Sequence, residues 1–142
     1  MNIVVSACLL GVNCKYCGTN SYNDEVYKLI SKHNLLPICP EQLGGLSTPR
    51  NPVELLNGRA LDKEKNDYTQ QFRKGSDEVL KIARLFDCTM AILKSNSPSC
   101  GFGKIYDGTF NRCLIDGTGI TAAQLQENGI RIISENKLEL VR

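Results

Sequence analysis

The residues of this chain best suited to chemistry are its cysteines. Seven of the 142 residues are cysteine, against one histidine and no tryptophan. An odd number of thiols does not form a complete set of intramolecular disulfides. In a reducing compartment, thiols are more often metal ligands or nucleophiles than partners in disulfide bonds. Three of them, Cys8, Cys39 and Cys100, follow segments with the apolar pattern of buried strands. The cysteines therefore point to metal, cluster or thiol chemistry.

The elements that must position these cysteines follow from the pattern of apolar residues. Four short apolar segments are typical of strands covered on both faces of a parallel sheet, and three segments with helical spacing lie between them. The predicted strands are 2–7, 35–38, 89–93 and 130–134, and the predicted helices are 24–32, 69–86 and 121–128, the last with Thr121 as N-cap. This alternation predicts an α/β layer fold with right-handed crossovers.

Two long stretches, 40–67 and 95–120, show no regular period but contain aromatic and apolar residues. Loops of this length in a small domain are usually functional. Within the second stretch, 104–106 and 113–115 flank a turn and predict a β-hairpin over the site. The whole chain, residues 1–142, is predicted to form one domain.

Composition excludes several classes of protein. A net charge of +2 with 23% charged residues is normal for a folded domain rather than a disordered chain. No apolar run approaches the roughly 18 to 20 residues of a membrane span. The N-terminus has neither a cationic region nor a long apolar stretch, so we predict a cytoplasmic protein without a targeting segment. A pI near 8.1 is not the basic footprint of a nucleic-acid-binding protein.

The placement of three cysteines at strand ends gives a reason to group them. Ligands of open α/β sheets gather beyond the carboxyl ends of the strands, so Cys8, Cys39 and Cys100 are expected to converge. A zinc site needs a fourth ligand, and His33 lies at the opposite end of the sheet. Cys14 would complete four thiolates, for zinc or for an iron–sulfur cluster. Three thiolates alone suit a [4Fe-4S] cluster with one open iron, and a nucleophilic or redox thiol is a third possibility.

The other cysteines carry weaker signals. Cys88 precedes the third strand and is expected to be a small buried hydrophobe. Cys113 lies in a loop with no partner suggested by the sequence. Cys14 and Cys17 have the spacing of a redox pair, but no helix follows directly, as it does in thioredoxin-like proteins.

Polar residues occur in the same loops. Glu41 lies two residues beyond Cys39 and is a candidate general base. Ser97 and Ser99 precede Cys100, where either hydroxyl could orient a water or a substrate carbonyl. Arg50 could anchor an anionic or carbonyl group. Each has an ordinary alternative, because Glu and Arg are common at surfaces and Ser in turns.

Several ordered segments, spread from Ser6 to Glu135, carry a resemblance to a known family. They are Ser6-Ala7-Cys8-Leu9-Leu10-Gly11, then Cys14, Cys39-Pro40-Glu41, Leu43-Gly44-Gly45-Leu46, Thr48-Pro49-Arg50, Ile92-Leu93-Lys94, Ser97-Pro98-Ser99-Cys100-Gly101, Ile105-Tyr106-Asp107-Gly108 and Gly119-Ile120-Thr121-Ala122. Together they resemble the TudS-like thiouracil desulfidases, a bacterial family formerly left as a domain of unknown function. That family commonly has Asp where this chain has Cys17.

The resemblance implies a Rossmann-like three-layer domain with a mostly parallel sheet and long loops at the strand C-terminal ends. It also implies a [4Fe-4S] cluster whose open iron takes sulfur from a thiolated pyrimidine, while water replaces that sulfur without net redox change. Carried over by motif, the ligands would be Cys8, Cys39 and Cys100, and Glu41 and Ser97 would assist the water.

The leading hypothesis is therefore non-redox desulfuration of thiouracil to uracil and hydrosulfide, with Arg50 and Ser99 as substrate-binding residues. Cys14 stands as an alternative ligand. The second hypothesis is a non-catalytic cysteine–metal protein, with zinc or an iron–sulfur group in a structural or redox-sensing role. The third is a partner module in thiolated-RNA metabolism. RNA ranks below a small thiolated pyrimidine as substrate because the chain has no basic stripe.

Overall fold

The structure, a computed structural model, describes residues 1–141. The strands are β1 (Asn2–Ser6), β2 (Asn34–Ile38), β3 (Val53–Leu56), β4 (Arg59–Asp62), β5 (Met90–Leu93), β6 (Lys104–Tyr106), β7 (Leu114–Asp116) and β8 (Arg131–Ser134). The α-helices are α1 (Asp24–Tyr27), α2 (Pro40–Leu43), α3 (Thr69–Leu85) and α4 (Ile120–Glu127), and 3₁₀ helices cover Ala7–Leu10, Lys28–Ser31 and Glu135–Leu140.

The main sheet consists of the four predicted strands. They are all parallel and lie in the order β2-β1-β5-β8. The chain runs from β1 outward to β2 on one side and returns to β5 on the other side of β1. In such a sheet the strand order reverses between β1 and β5, and ligands bind beyond the carboxyl ends at this switch point. The predicted α/β class with a mostly parallel central sheet is confirmed.

Helical elements cover both faces of this sheet. On one face, α3 and α4 pack against alternate strand residues through Val79, Ala83, Ala122 and Leu125, all fully buried. On the other face, α1 and the 3₁₀ helices pack against the remaining strand residues, with Val26 at the centre. Burial on both sides explains why β1 and β5 appear as continuous apolar runs rather than alternating ones.

The interruption that the sequence shows at Gly75 is a contact point between α2 and α3. A Cβ atom added at Gly75 would lie 1.8 Å from the Pro40 carbonyl oxygen, and one added at Gly44 would lie 2.0 Å from that of Gln71. Neither position has room for a side chain. The two glycines let α2 press against α3, and α2 is the element that carries Glu41.

Three local predictions differ from the structure. Stretch 40–67, expected to lack regular structure, contains α2 and the β3–β4 hairpin, whose four-residue strands are too short to show a period. The helix expected over 24–32 is α-helical only to Tyr27 and continues as 3₁₀, in keeping with the weak stability of short helices. The N-cap of α4 is Gly119 rather than Thr121, which lies inside the first turn.

Candidate functional site

A cavity of about 550 Å³ opens at the carboxyl ends of β1, β2 and β5. Two groups of residues enclose it. One, the sheet edge, comprises the residues that follow these strands, among them Cys8, Cys39, Glu41 and Cys100. The other, the hairpin wall, comprises β3–β4 and β6–β7. The residues that line the whole cavity are Ser6, Ala7, Cys8, Cys14, Lys15, Tyr16, Ile38, Cys39, Pro40, Glu41, Arg50, Pro52, Val53, Glu54, Lys94, Ser95, Asn96, Ser97, Pro98, Ser99, Cys100, Tyr106, Phe110 and Arg112.

Four thiols line the cavity. Cys8 lies in the 3₁₀ helix after β1, Cys39 directly follows β2, and Cys100 ends the turn that follows β5. Cys14 comes from the loop between β1 and α1. All seven cysteines of the chain are free thiols. The structure therefore brings together the three cysteines that the strand ends predict, and it adds Cys14 to them.

The protein environment favours the protonated form of three of these thiols, Cys14, Cys39 and Cys100. Burial raises the pKa of Cys100 to about 12. For Cys14 the hydrogen bond with Cys39 acts to lower the pKa, but a hydrogen bond with Cys8 and burial outweigh it and raise the pKa to about 11. The hydrogen bond with Cys14, together with burial, raises the pKa of Cys39. Thiolates here need a positive partner, and binding of a metal group would release their protons.

Glu41 is held in a defined orientation beside these thiols. Its Oε1 accepts a hydrogen bond from Arg50 Nε at 3.0 Å, and its Oε2 accepts one from Ser99 Oγ at 3.0 Å. The Glu41 and Arg50 side chains are only 15% and 8% exposed. Since both oxygens accept hydrogen bonds, the group is an oriented carboxylate with lone pairs left for a further donor.

The two serines extend this arrangement. Ser99 is buried and gives its only hydroxyl hydrogen to Glu41, so the 3.1 Å contact between the Ser97 and Ser99 hydroxyls has Ser97 as donor. Ser97 Oγ also accepts the backbone N–H groups of Ser99 and Cys100, at 3.2 and 3.0 Å. Ser97 thus both shapes the turn that carries Cys100 and begins a hydrogen-bonded chain that ends on Glu41.

Arg50 turns most of its donors toward the protein. Besides Glu41, its guanidinium donates to the Ser47 carbonyl, the Thr48 hydroxyl and the Cys14 carbonyl, at 3.2, 3.0 and 2.8 Å. An arginine side chain carries five N–H groups. Four of them are used in these contacts, which leaves one on Nη2 for a ligand in the cavity.

A second ion pair joins the cavity lining, through Lys94, to Glu135 behind it. Lys94, directly after β5, lies 3.0 Å from a carboxylate oxygen of Glu135, directly after β8. Burial alone would raise the pKa of Glu135, but hydrogen bonds from the Ser95 amide and from Lys94 lower it. The carboxylate thus stays charged and holds the Lys94 side chain at the cavity.

The hairpin wall supplies aromatic and cationic side chains. Glu54 Oε1, on β3, accepts the backbone N–H groups of Gly108 and Phe110, at 3.0 and 3.1 Å, and so ties the β6–β7 connection to β3. That connection and its strand bring Tyr106, Phe110 and Arg112 into the lining. The hairpin predicted over the site is confirmed, pairing Lys104–Tyr106 with Leu114–Asp116.

Every predicted site residue lines this one cavity: Cys8, Cys39, Glu41, Arg50, Ser97, Ser99 and Cys100. No functional role was predicted for Lys94, for Glu54 or for the lining residues Tyr106, Phe110 and Arg112 of the hairpin wall. Lys94 had a usable signal, since it directly follows a predicted strand. Glu54 had none, because its strand was not predicted.

Three cysteines stand outside the lining. Cys88 is buried in the core, as predicted, whereas Cys17 and Cys113 are exposed. His33 lies at the amino end of the sheet, with Nδ1 at 3.4 Å from the Met1 amino group. Within residues 1–141 there is no group of three or more His, Cys, Asp or Glu side chains that could hold a metal ion. The four cavity thiols instead line a space that a larger group would fill.

None of the helices within residues 1–141 is long and apolar enough to cross a membrane. The sequence matches the family profile described as 2-thiouracil desulfurase over residues 3–137. It is 40% identical over 146 residues to the protein YbbK of Bacillus subtilis (strain 168), a match that covers 96% of this chain and 97% of YbbK.

A solved structure named "[4Fe-4S]-dependent thiouracil desulfidase TudS" superposes on this chain with a TM-score of 0.92 and 36% sequence identity. The match covers 97% of this chain and 93% of that one. These findings confirm the resemblance drawn from the motifs. The chain belongs to the 2-thiouracil desulfurase family.

Proposed function

We propose that this chain is an iron–sulfur enzyme that converts a thiolated pyrimidine such as thiouracil into uracil and hydrosulfide. The observation that carries the proposal is one cavity lined by the thiols of Cys8, Cys39 and Cys100 and by the oriented carboxylate of Glu41. The names of the family and of the solved relative support both the substrate class and a [4Fe-4S] cofactor.

The donor set fits such a cluster. Thiolates are the protein ligands of [4Fe-4S] clusters, and here free thiols face a cavity whose lining has four cationic side chains against two carboxylates. Cys8, Cys39 and Cys100 would hold the cluster. When bound by three thiolates, it would supply a Lewis-acidic iron for the soft sulfur of a thiocarbonyl group.

Glu41 acts as the general base in this proposal. Arg50 and Ser99 fix its carboxylate, and the remaining lone pairs accept a proton from a water in the cavity. Ser97 positions that water, and its hydrogen bond to Ser99 continues to Glu41 Oε2, which gives the proton a path between the three groups. Arg50 has one N–H left to orient the substrate, beside its role in holding Glu41.

The non-catalytic alternative is less well supported. A purely structural metal site requires neither an oriented carboxylate nor a cavity of about 550 Å³ beside its ligands. We further propose that the enzyme works in the cytoplasm, where a reducing environment suits seven free thiols. A small thiolated pyrimidine remains the proposed substrate ahead of thiolated RNA.

The proposal is tested with protein purified without oxygen. It should contain about four iron atoms and matching labile sulfide per chain, and should release hydrosulfide and uracil from thiouracil. Glu41→Gln should retain this iron, while turnover falls by about 10²- to 10⁴-fold because the base is lost.

Glu64→Gln is the matched control, since Glu64 is exposed and outside the cavity lining, and it should behave as wild type. An iron-free protein that binds zinc under these conditions would contradict the cluster. Full turnover by Glu41→Gln would contradict the general-base role of Glu41 but not the cluster.

A further inference from the structure

A fourth thiol of the cavity, Cys14, has no task in the function proposed above. Its side chain is 2% exposed and lines the cavity. Its backbone carbonyl accepts a hydrogen bond from the Cys39 thiol at 3.7 Å, and Cys8, Cys14 and Cys39 pack together in one cluster. A cysteine that only fills core space behaves as a small hydrophobe, whereas Cys14 also faces the cavity that holds the other thiols. Cys14 therefore stands beside two of the three proposed ligands.

The backbone around Cys14 is tied to the same network as Glu41. Its carbonyl oxygen accepts a hydrogen bond from Arg50 Nη2 at 2.8 Å, and its N–H donates to the Val12 carbonyl at 2.9 Å. Two residues on, the Tyr16 carbonyl accepts the backbone N–H of Arg50 at 2.8 Å. With the backbone fixed in this way, the sulfur of Cys14 moves only by rotation about χ1 between its staggered rotamers.

We propose that Cys14 supplies a fourth thiolate to the cluster in the substrate-free protein and withdraws by a rotamer change when a thiocarbonyl group enters. This inference rests on the proposed function, because it requires the cluster. The exchange transfers no electrons. The thiol proton passes to cavity water when the iron–sulfur bond forms and is taken back from water when that bond breaks. Cys14 thus protects the exposed iron between turnovers and competes with substrate for it.

The test is the loss of iron under mild oxidation of protein loaded and purified without oxygen. An iron without a protein thiolate is the first to leave an oxidised cluster, and its loss gives a three-iron cluster with its own EPR signal. Wild-type protein should retain about four irons through a brief exposure to ferricyanide. Cys14→Ala should release one iron at least about 10-fold faster, as expected when a group that supports a metal is removed, and should show the three-iron signal.

Two further variants make the outcome specific. Cys88→Ala removes a buried thiol outside the cavity and should retain iron as wild type does. Cys14→Ser nearly preserves the size of the side chain, so it carries the same expectation as Cys14→Ala if the alanine variant does not fold.

Equal rates of iron release from wild type, Cys14→Ala and Cys14→Ser would overturn the inference and leave the proposed function intact. An anaerobic wild-type protein without iron before any oxidant is added would overturn both.

Discussion

The sheet edge and the hairpin wall enclose one cavity but are built in different ways. The sheet edge places each reactive group within seven residues of a parallel strand, and two of those strands, β1 and β5, are buried on both faces. The hairpin wall consists of two short antiparallel pairs, held to each other by Glu54 on β3 and the backbone of Gly108 and Phe110. Leu114 and Ile115, on the outer strand β7, are more than 40% exposed.

This difference assigns different tasks to the two regions. Groups that bind a cofactor or transfer a proton need positions accurate to a fraction of an ångström, and a packed sheet provides such positions. Groups that select a ligand by shape and charge tolerate a more exposed support. We therefore expect changes at the sheet edge to remove the cofactor or the chemistry, and changes in the hairpin wall to alter affinity or stability.

The largest effect is expected from Cys39→Ser. Serine is a much harder ligand than a thiolate, so this variant should lose most of its iron and, with it, all measurable desulfuration. Iron and labile sulfide are measured on anaerobic protein, beside thiouracil turnover. Cys88→Ser is the matched control, because Cys88 is buried but lies outside the cavity. Loss of iron in both variants would mean that general destabilisation, and not ligation, explains the result.

A smaller effect is expected from Glu54→Ala. Without the carboxylate, the N–H groups of Gly108 and Phe110 lose their acceptor and the β6–β7 connection loosens around the cavity. KM for thiouracil should rise about 10-fold while kcat and iron content stay near wild type. The reason is that the variant loses contacts that bind the substrate and the transition state equally.

Glu54→Gln retains an acceptor oxygen and should recover most of the affinity, whereas Glu64→Ala, on the exposed turn after β4, should change neither constant. A fall in kcat with unchanged KM would contradict this role and show that Glu54 takes part in the reaction.

The sequence predicted the sheet edge and the β6–β7 hairpin but not the β3–β4 half of the hairpin wall, and the reason is physical. Cys8, Cys39 and Cys100 could be grouped because buried parallel strands leave long apolar runs, and the carboxyl ends of such strands meet at one edge. Glu54 could not be found, because β3 and β4 have four residues each and their partners are fixed by tertiary contacts. The hydrogen bonds that orient Glu41 were equally hidden, since Ser99 is 58 positions away in the chain.

The smallest effect concerns the stability of the hairpin wall in acid. Asp62, at the end of β4, accepts hydrogen bonds from the side chain and backbone N–H of Asn66 and from Tyr68 Oη. The side-chain hydrogen bond with Asn66 is the main cause that lowers the pKa of Asp62 from 3.8 to about 2. A lowered pKa means that the folded state prefers the carboxylate. Its stabilisation is complete above the ordinary pKa and disappears as the pH falls through about 2.

Asp62→Asn should therefore lower Tm at pH 7, and the difference from wild type should shrink as the pH is taken from above 3.8 down to about 2. Thermal unfolding followed by circular dichroism across this range is the measurement, with Asp87→Asn, an exposed position near the start of β5, as the control. Comparing wild type with Asp62→Asn at each pH cancels the acid sensitivity that the two proteins share. A Tm difference that stays constant down to pH 2 would show that Asp62 stabilises the wall by its shape and not by its charge. Thiouracil turnover at pH 7 should change little in this variant, since Asp62 does not line the cavity.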